Sequence, residues 1–234
     1  MIDLHSHLLP AIDDGVETFE EGIDILRELK KHGINELFVT PHYIAETIYD
    51  SPRSDNLKLL GELKKAIAEE NIDIKLHIGN EIYIAPEISW RLRDKTLSSL
   101  GGSKYLLIEL PMSGVFEGYE DIFRNLIAEG YIVILAHPER YISIQKDFAI
   151  LGRLKNIGVL FQANLGSIVG QYGRHAQKTI KKMAKKDLIY AFGTDTHHMR
   201  DFSEIDEAIH LLTKIYGEAK LAVLLEDNPL KILK

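Results

Sequence analysis

Four fragments constrain the fold of this chain more than anything else in it: Met1-Ile-Asp-Leu-His-Ser-His7, Thr40-Pro-His42, Ala136-His-Pro-Glu-Arg140 and Gly193-Thr-Asp-Thr-His197. Each follows or overlaps a short apolar run that reads as a strand, so imidazole and carboxylate groups stand where a buried strand passes into its loop. Enzymes built on a barrel of parallel strands keep their chemistry at that place. In His5-x-His7 the alternation of an extended segment turns both rings to one side. Imidazole together with carboxylate is a donor set of first-row transition metals. The chain therefore reads as the scaffold of a metal site.

Between these fragments, strand and helix patterns alternate. Ile2 to His5 is a strand entering the first motif. Thr18 stands where it can cap a helix that places Phe19, Ile23, Ile25, Leu26 and Leu29 near one face and stops at His32-Gly33. Residues 36 to 40 form a second strand that delivers His42. Ile72, Ile74, Leu76 and Ile78 alternate with Asp73, Lys75 and His77 as a third strand should, leading through Gly79-Asn80 to Glu81. The fourth strand, 104 to 110, carries Glu109, and the fifth, 131 to 136, delivers His137. The sixth is 159 to 163, and the seventh, 188 to 192, leads to Asp195 and His197. Helical patterns fill the intervals at 55–70, 119–129, 148–155, 176–185 and 203–216, with another towards Glu226. About seven strands joined by helices predict a closed or nearly closed parallel α/β barrel, because parallel strands need crossovers. A chain of 234 residues is long enough for one substantial core, so residues 1–234 are expected to form a single domain.

Composition removes several classes of function. There is no cysteine, which excludes disulfides, thiolate metal sites and a cysteine nucleophile. A net charge of −7 argues against a non-specific nucleic-acid binder, since phosphate backbones demand basic surface. No apolar run approaches the roughly 18 residues that span a bilayer, so no direct membrane insertion is expected. The start of the chain lacks the basic stretch and apolar core of a signal peptide; the expected location is cytoplasmic.

One ligand-type residue stands at nearly every strand end: His5 and His7, His42, Glu81, Glu109, His137, and Asp195 with His197. Any one of these alone would more often be a satisfied core or surface residue, and the constellation is what argues for metal. His32, His77 and His210 fall within helices or mid-strand, away from this rim, and are read as structural. His175 reads as helix surface, and His198 is left unassigned. Arg140 follows His137 by three residues and Arg200 follows His197 by three, so both are expected to reach the rim and grip phosphate oxygens with a planar fork.

These motifs resemble those of the PHP (polymerase and histidinol phosphatase) superfamily over the whole chain. Met-Ile-Asp-x-His-Ser-His followed by Asp13-Asp14-Gly15, then Gly79-Asn80-Glu81-Ile82, Ile108-Glu109-Leu110 and Phe161-Gln-Ala-Asn164, is similar to the bacterial manganese-dependent tyrosine-protein phosphatases of the CpsB/YwqE type. The resemblance implies a distorted (β/α)7 TIM-like barrel of the PHP type with two or three divalent metals. It places His5, His7, Glu81 and Asp195 on a first ion, Glu81, Glu109 and His137 on a second, and Asp14, His42 and His197 on a third. Manganese is the metal it implies; the donor set equally suits iron or zinc. In the histidinol phosphatase branch the position of Glu109 is usually histidine, and that of Asp14 often is, so the acids here favour the tyrosine phosphatase branch. The implied substrate is a phosphotyrosine protein, the tyrosine-rich tail of a bacterial tyrosine kinase controlling capsule or exopolysaccharide synthesis. A homo-oligomer is compatible with the resemblance.

The chemistry is consistent with that reading. Phosphomonoesters hydrolyse extremely slowly in water, because an anionic phosphate repels the nucleophile. Close metal ions generate hydroxide from water at neutral pH and clamp phosphoryl oxygens for in-line displacement. Three alternatives stand beside it: a histidinol-phosphate or other small-molecule phosphatase of the same superfamily, a metal-dependent nuclease or amidohydrolase, and a non-enzymatic module that docks on a kinase. The segment 43–54, with Tyr43, Ile44 and Tyr49 directly after a ligand, is a candidate recognition loop.

Overall fold

Among the described residues nine short strands form where the sequence alternates or runs apolar: β1 (Ile2–Asp3), β2 (Glu36–Val39), β3 (His42–Tyr43), β4 (Lys75–Ile78), β5 (Glu81–Tyr83), β6 (Tyr105–Glu109), β7 (Ile132–Leu135), β8 (Leu160–Asn164) and β9 (Ala191–Gly193). They belong to a computed structural model that describes residues 1–114, 118–200 and 202–234. All ladders are parallel, in the orders β1-β2-β4 and β3-β5-β6-β7-β8-β9. Two sequence runs are each broken in the middle. Thr40-Pro41 separates β2 from β3, where proline has no N–H for a ladder, and Gly79-Asn80 separates β4 from β5. Both breaks fall at the same height, since Val39 pairs with Ile78 and His42 with Glu81. The nine strands are thus the seven expected runs.

The ring closes between its first and last strands. Leu4 N donates to Phe192 O at 3.2 Å, Asp195 N to His5 O at 2.8 Å and His7 N to Thr196 O at 2.9 Å, and Ser6 bridges Thr196 in parallel. The expected parallel α/β barrel is therefore the observed architecture. Its helices cover the outside. In the helix Phe19–Lys31, Thr18 caps as expected, its hydroxyl accepting from Glu21 N; acids begin this helix and lysines end it, as the dipole favours. Ile25, Leu26 and Leu29 are its buried face, each worth about 1.5–3 kcal/mol of apolar transfer.

Strand parity decides what stands inside the ring. Leu107 and Ile134 belong to an inner cluster with Leu4, Phe38 and Ala136, whereas Leu106, Ile108, Val133 and Leu135 join the outer core. Side chains two apart share a face, so the inward row of β6 runs from Leu107 to Glu109. On β8, Leu160 packs on the inner cluster while Phe161 and Ala163 face the outer core; its inward row therefore continues through Gln162 and Asn164. Apolar residues fill the barrel to mid-height and polar ones take over at the carboxyl ends.

Candidate metal centre

The carboxyl ends of the strands bring all nine expected ligand residues together. His5 Nε2, His7 Nε2, a Glu81 oxygen and an Asp195 oxygen form one group, and His7, Asp14, His42 and His197 a second. In a third, His42, Glu81 and Glu109 converge; within each group the donor atoms lie within 4.8 Å of one another. His137 joins through its Nε2, 2.7 Å from Glu81 Oε1 and 3.8 Å from Glu109 Oε1. Glu81 is the hub: its Oε2 lies 3.0 Å from His5 Nε2, 3.1 Å from His42 Nδ1 and 3.3 Å from His7 Nε2. His7 and His42 each border two groups, a sharing that the sequence reading did not anticipate.

Proton positions follow from the neighbours. His7 Nδ1 faces the Asp13 carboxylate at 2.7 Å and donates to it. His5 Nδ1 donates to Gln162 Oε1 at 3.2 Å, an oxygen that also accepts from His137 N. A neutral imidazole that donates from Nδ1 presents a lone pair at Nε2. The two Nε2 atoms stand 3.0 Å apart, facing the oxygens of Glu81 and Asp195. Burial would lower both imidazoles, but the carboxylates of Glu81 and Asp195 beside His5, and of Asp13 beside His7, raise them; without a cation, protons hold this group of nitrogens and oxygens together, and a divalent metal would take their place. Glu81 Oε2 and His42 Nδ1 are buried without a hydrogen-bond partner although 3.1 Å apart; they approach without hydrogen-bond alignment, as two ligands of one cation do. The donor set fits divalent metal.

Electrostatics point the same way. Burial would raise the Glu81 carboxyl, but the imidazoles of His5 and His42 hold it well below its ordinary range. At Glu109 burial wins, and the charges of Glu81 and Asp195 add to it, so its carboxyl is pushed well up. Carboxyl groups of Asp14, Glu81, Glu109 and Asp195 thus crowd among imidazoles at one place, a concentration of donors that divalent cations suit.

Residues that the sequence motifs contain without an assigned role hold the donors in place. Asp13, besides binding His7, accepts from His42 N at 2.9 Å and Gly15 N at 3.0 Å, and so aligns two rings at once. Gly15 itself packs on His7, where a Cβ would come within 2.3 Å of His7 O. Gln162 donates to Asn164 Oδ1 at 2.9 Å, and Asn164 Nδ2 to Asp195 Oδ2 at 2.7 Å. Such outer partners fix ring tautomer and orientation. The signal for Gln162 and Asn164 was strand parity, which puts both on the face of Leu160. Two donors sit on left-handed backbone, His137 at φ 33° and Asp195 at φ 51°, a cost of about 1–3 kcal/mol each that surrounding structure must sustain.

The two arginines differ. Arg140 pairs with Asp195 Oδ2 and lies over the Tyr172 ring, 4.5 Å from its centre, so it borders the centre directly. Arg200 turns to Thr194 O at 3.3 Å and Glu204 at 3.2 Å; neither partner is one of the nine. Tyr172 lies under Arg140, and burial pushes its hydroxyl up while the charges of Arg140 and Arg200 lower it. His77 binds Glu36 at mid-strand, His32 ends its helix, and His175 is exposed on the helix Gly173–Lys185, as read from the sequence. His198 faces Glu21. Within the candidate loop, the Tyr49 ring stacks 5.9 Å from that of His42.

Comparison with known proteins agrees with this geometry. The family model for capsular polysaccharide synthesis, CpsB/CapC, matches residues 1–234. The tyrosine-protein phosphatase YwqE of Bacillus subtilis strain 168 is 31% identical over 236 residues, covering 100% of this chain and 92% of that protein. A crystal structure from work on the metal-dependent tyrosine phosphatases YwqE of B. subtilis and CpsB of Streptococcus pneumoniae aligns with a TM-score of 0.92 at 30% identity, covering 100% of this chain and 94% of that one. Histidinol phosphate phosphatase from Lactococcus lactis aligns with a TM-score of 0.54 at 16% identity over 92% of this chain and 93% of its own, a likeness of fold. The resemblance carried by the sequence motifs is borne out.

Proposed function

The chain belongs to the CpsB/CapC family of capsular polysaccharide synthesis, and from that premise we propose that it is a metal-dependent protein-tyrosine phosphatase. The observation that carries the reading is the convergence of His5 Nε2 and His7 Nε2 with the carboxylates of Glu81 and Asp195 at the barrel mouth. His5, His7, Glu81 and Asp195 would hold one ion, Glu81, Glu109 and His137 a second, and Asp14, His42 and His197 a third. Divalent cations there supply charge neutralisation for phosphoryl oxygens and acidify water.

The chain's own residues do the rest. Arg140 has one nitrogen on Asp195, and the remaining donors of its planar fork suit two phosphoryl oxygens. Arg200 supports the same rim through Thr194 O, next to Asp195. A tyrosyl group leaves as a phenol of pKa ≈ 10, so it needs little proton assistance. With no cysteine in the chain, a phosphocysteine intermediate is excluded.

The finer reading takes manganese as the metal, one domain over residues 1–234, and the tyrosine-rich tail of a bacterial tyrosine kinase in capsule or exopolysaccharide synthesis as the substrate. Among the described residues no helix is long and apolar enough to cross a membrane, consistent with a cytoplasmic enzyme meeting a membrane-bound partner; a homo-oligomer remains part of this proposal. The test is hydrolysis, by manganese-loaded protein, of a phosphotyrosine peptide against histidinol phosphate and a single-stranded oligonucleotide. Preference for the peptide, lost on chelation and restored by metal, supports the reading. Preference for histidinol phosphate moves the activity to small-molecule hydrolysis, and cleavage of the oligonucleotide alone refutes both phosphatase readings.

A further inference from the structure

Glu139 is fully buried and belongs to none of the donor groups, although it stands between His137 and Arg140. Its Oε2 has no hydrogen-bond partner. Burying a carboxyl with one oxygen unused costs more than an apolar side chain of similar volume would, so holding the fold together is not a sufficient reason for it. We propose that Glu139 is the positioning residue of Arg140, setting its guanidinium beside the metal centre; the proposal rests on the reading in which Arg140 grips phosphoryl oxygens.

The connections around Glu139 close on themselves. Its Oε1 accepts from Asn164 N at 2.9 Å and from Ser167 Oγ at 2.6 Å. Asn164 Nδ2 in turn donates to Asp195 Oδ2 at 2.7 Å, the same oxygen that Arg140 pairs with. A ring results that runs from Glu139 to Asn164, Asp195 and Arg140 and returns through the peptide bond. Its members come from the turn after β7, the end of β8 and the segment after β9, so no single strand fixes the distance between Arg140 and Asp195.

The turn itself begins on left-handed backbone at His137, a conformation that its surroundings must sustain. His137 N is tied to Gln162 Oε1 at 3.2 Å, and Gln145 Nε2 holds Glu139 O at 2.9 Å and Arg140 O at 3.3 Å. The Glu139 carboxyl supplies the link to β8 at the end of the turn that bears Arg140. The segment it grips also leads to Tyr172, because Gln171 N donates to Gly166 O at 3.0 Å and brings the residue before Tyr172 back against the residue before Ser167. Glu139 thus acts on both groups that locate the guanidinium, the Asp195 carboxylate and the Tyr172 ring 4.5 Å away.

The test follows the Nε–H signal of Arg140 by NMR in protein loaded with a diamagnetic divalent metal, assigned by its loss in Arg140→Lys, and measures affinity for inorganic phosphate by calorimetry. Glu139→Ala should move the signal towards that of an unrestrained arginine and lower phosphate affinity about tenfold, the lower end of what loss of an outer partner costs. Glu139→Gln, which keeps an accepting oxygen, should restore most of both. Ser167→Ala removes one of the two donors and should move the signal the same way by less. In an Arg140→Ala background, Glu139→Ala should lower phosphate affinity no further. A multiplied loss there, or an Arg140 signal that stays in place in Glu139→Ala (in Ser167→Ala, should the former not fold), overturns the positioning role. A signal that moves while Arg140→Ala binds phosphate as wild type does leaves Glu139 positioning Arg140 and refutes instead the reading in which Arg140 grips phosphate.

Discussion

Replacing Asp13 with alanine separates holding a metal donor in place from being one. The Asp13 side chain is 1% exposed and receives three donors: His7 Nδ1, His42 N and Gly15 N. Gly15 N can turn to water, but His7 is fully buried, and the other two donors lose their acceptor. At about 1–3 kcal/mol per orphaned buried donor, Asp13→Ala is expected to cost about 2–6 kcal/mol. For a chain of this size that is a fall in Tm of roughly 5–25 °C. The second effect is on metal. Without the carboxylate, His7 is free to carry its proton on Nε2, which removes its lone pair from the centre; loss of such a partner lowers affinity by about 10–100-fold. Affinity is measured by chelator competition and stability by denaturant unfolding of metal-free protein. Asp13→Asn, which keeps an accepting oxygen but no charge, should fold and fall between the two. Metal affinity equal to wild type in both variants would refute the argument that Asp13 sets the His7 tautomer, whatever happens to stability.

Glu81→Ala removes the atom shared by three imidazoles, so metal affinity and peptide hydrolysis should fall together by more than about a hundredfold while circular dichroism still reports the barrel; full activity would remove the bridge. At Tyr172, leucine abolishes the stack under Arg140 and phenylalanine retains it. A cation–π contact of about 0.5–1 kcal/mol predicts a KM raised roughly two- to fivefold in Tyr172→Leu and near wild type in Tyr172→Phe, and equal KM values would dissociate the ring from Arg140. Burial pushes the Asp3 carboxyl from 3.8 up to about 6 despite bonds from Thr194 and His5. A raised folded pKa means that native protein binds the extra proton, so its stabilisation is complete below pH 3.8 and is lost as pH rises through 6. Metal-free wild type should lose on the order of 3 kcal/mol across that window relative to Asp3→Asn, as read from urea midpoints at each pH; parallel curves would show that folding leaves the Asp3 carboxyl at its ordinary value.

The sequence by itself determined the succession of strands and helices and the height at which chemistry occurs. Alternation at 72–78 and the apolar run at 131–136 are local properties, and a donor such as His137 or Glu81 directly beyond a strand needs no knowledge of its neighbours. What it left undetermined were partners across the chain. Gln162 meets His5 from 157 residues away, a contact set by the closing of β9 on β1, which periodicity does not encode. Arg140 and Arg200 have the same spacing from a histidine, yet one pairs with Asp195 and the other with Glu204, because the following backbone turns differently. Sharing of His7 and His42 between donor groups likewise exists only when the strand ends form a ring. Local sequence sets which face and which end of a strand a residue occupies; only the closed barrel decides which other residues it meets there.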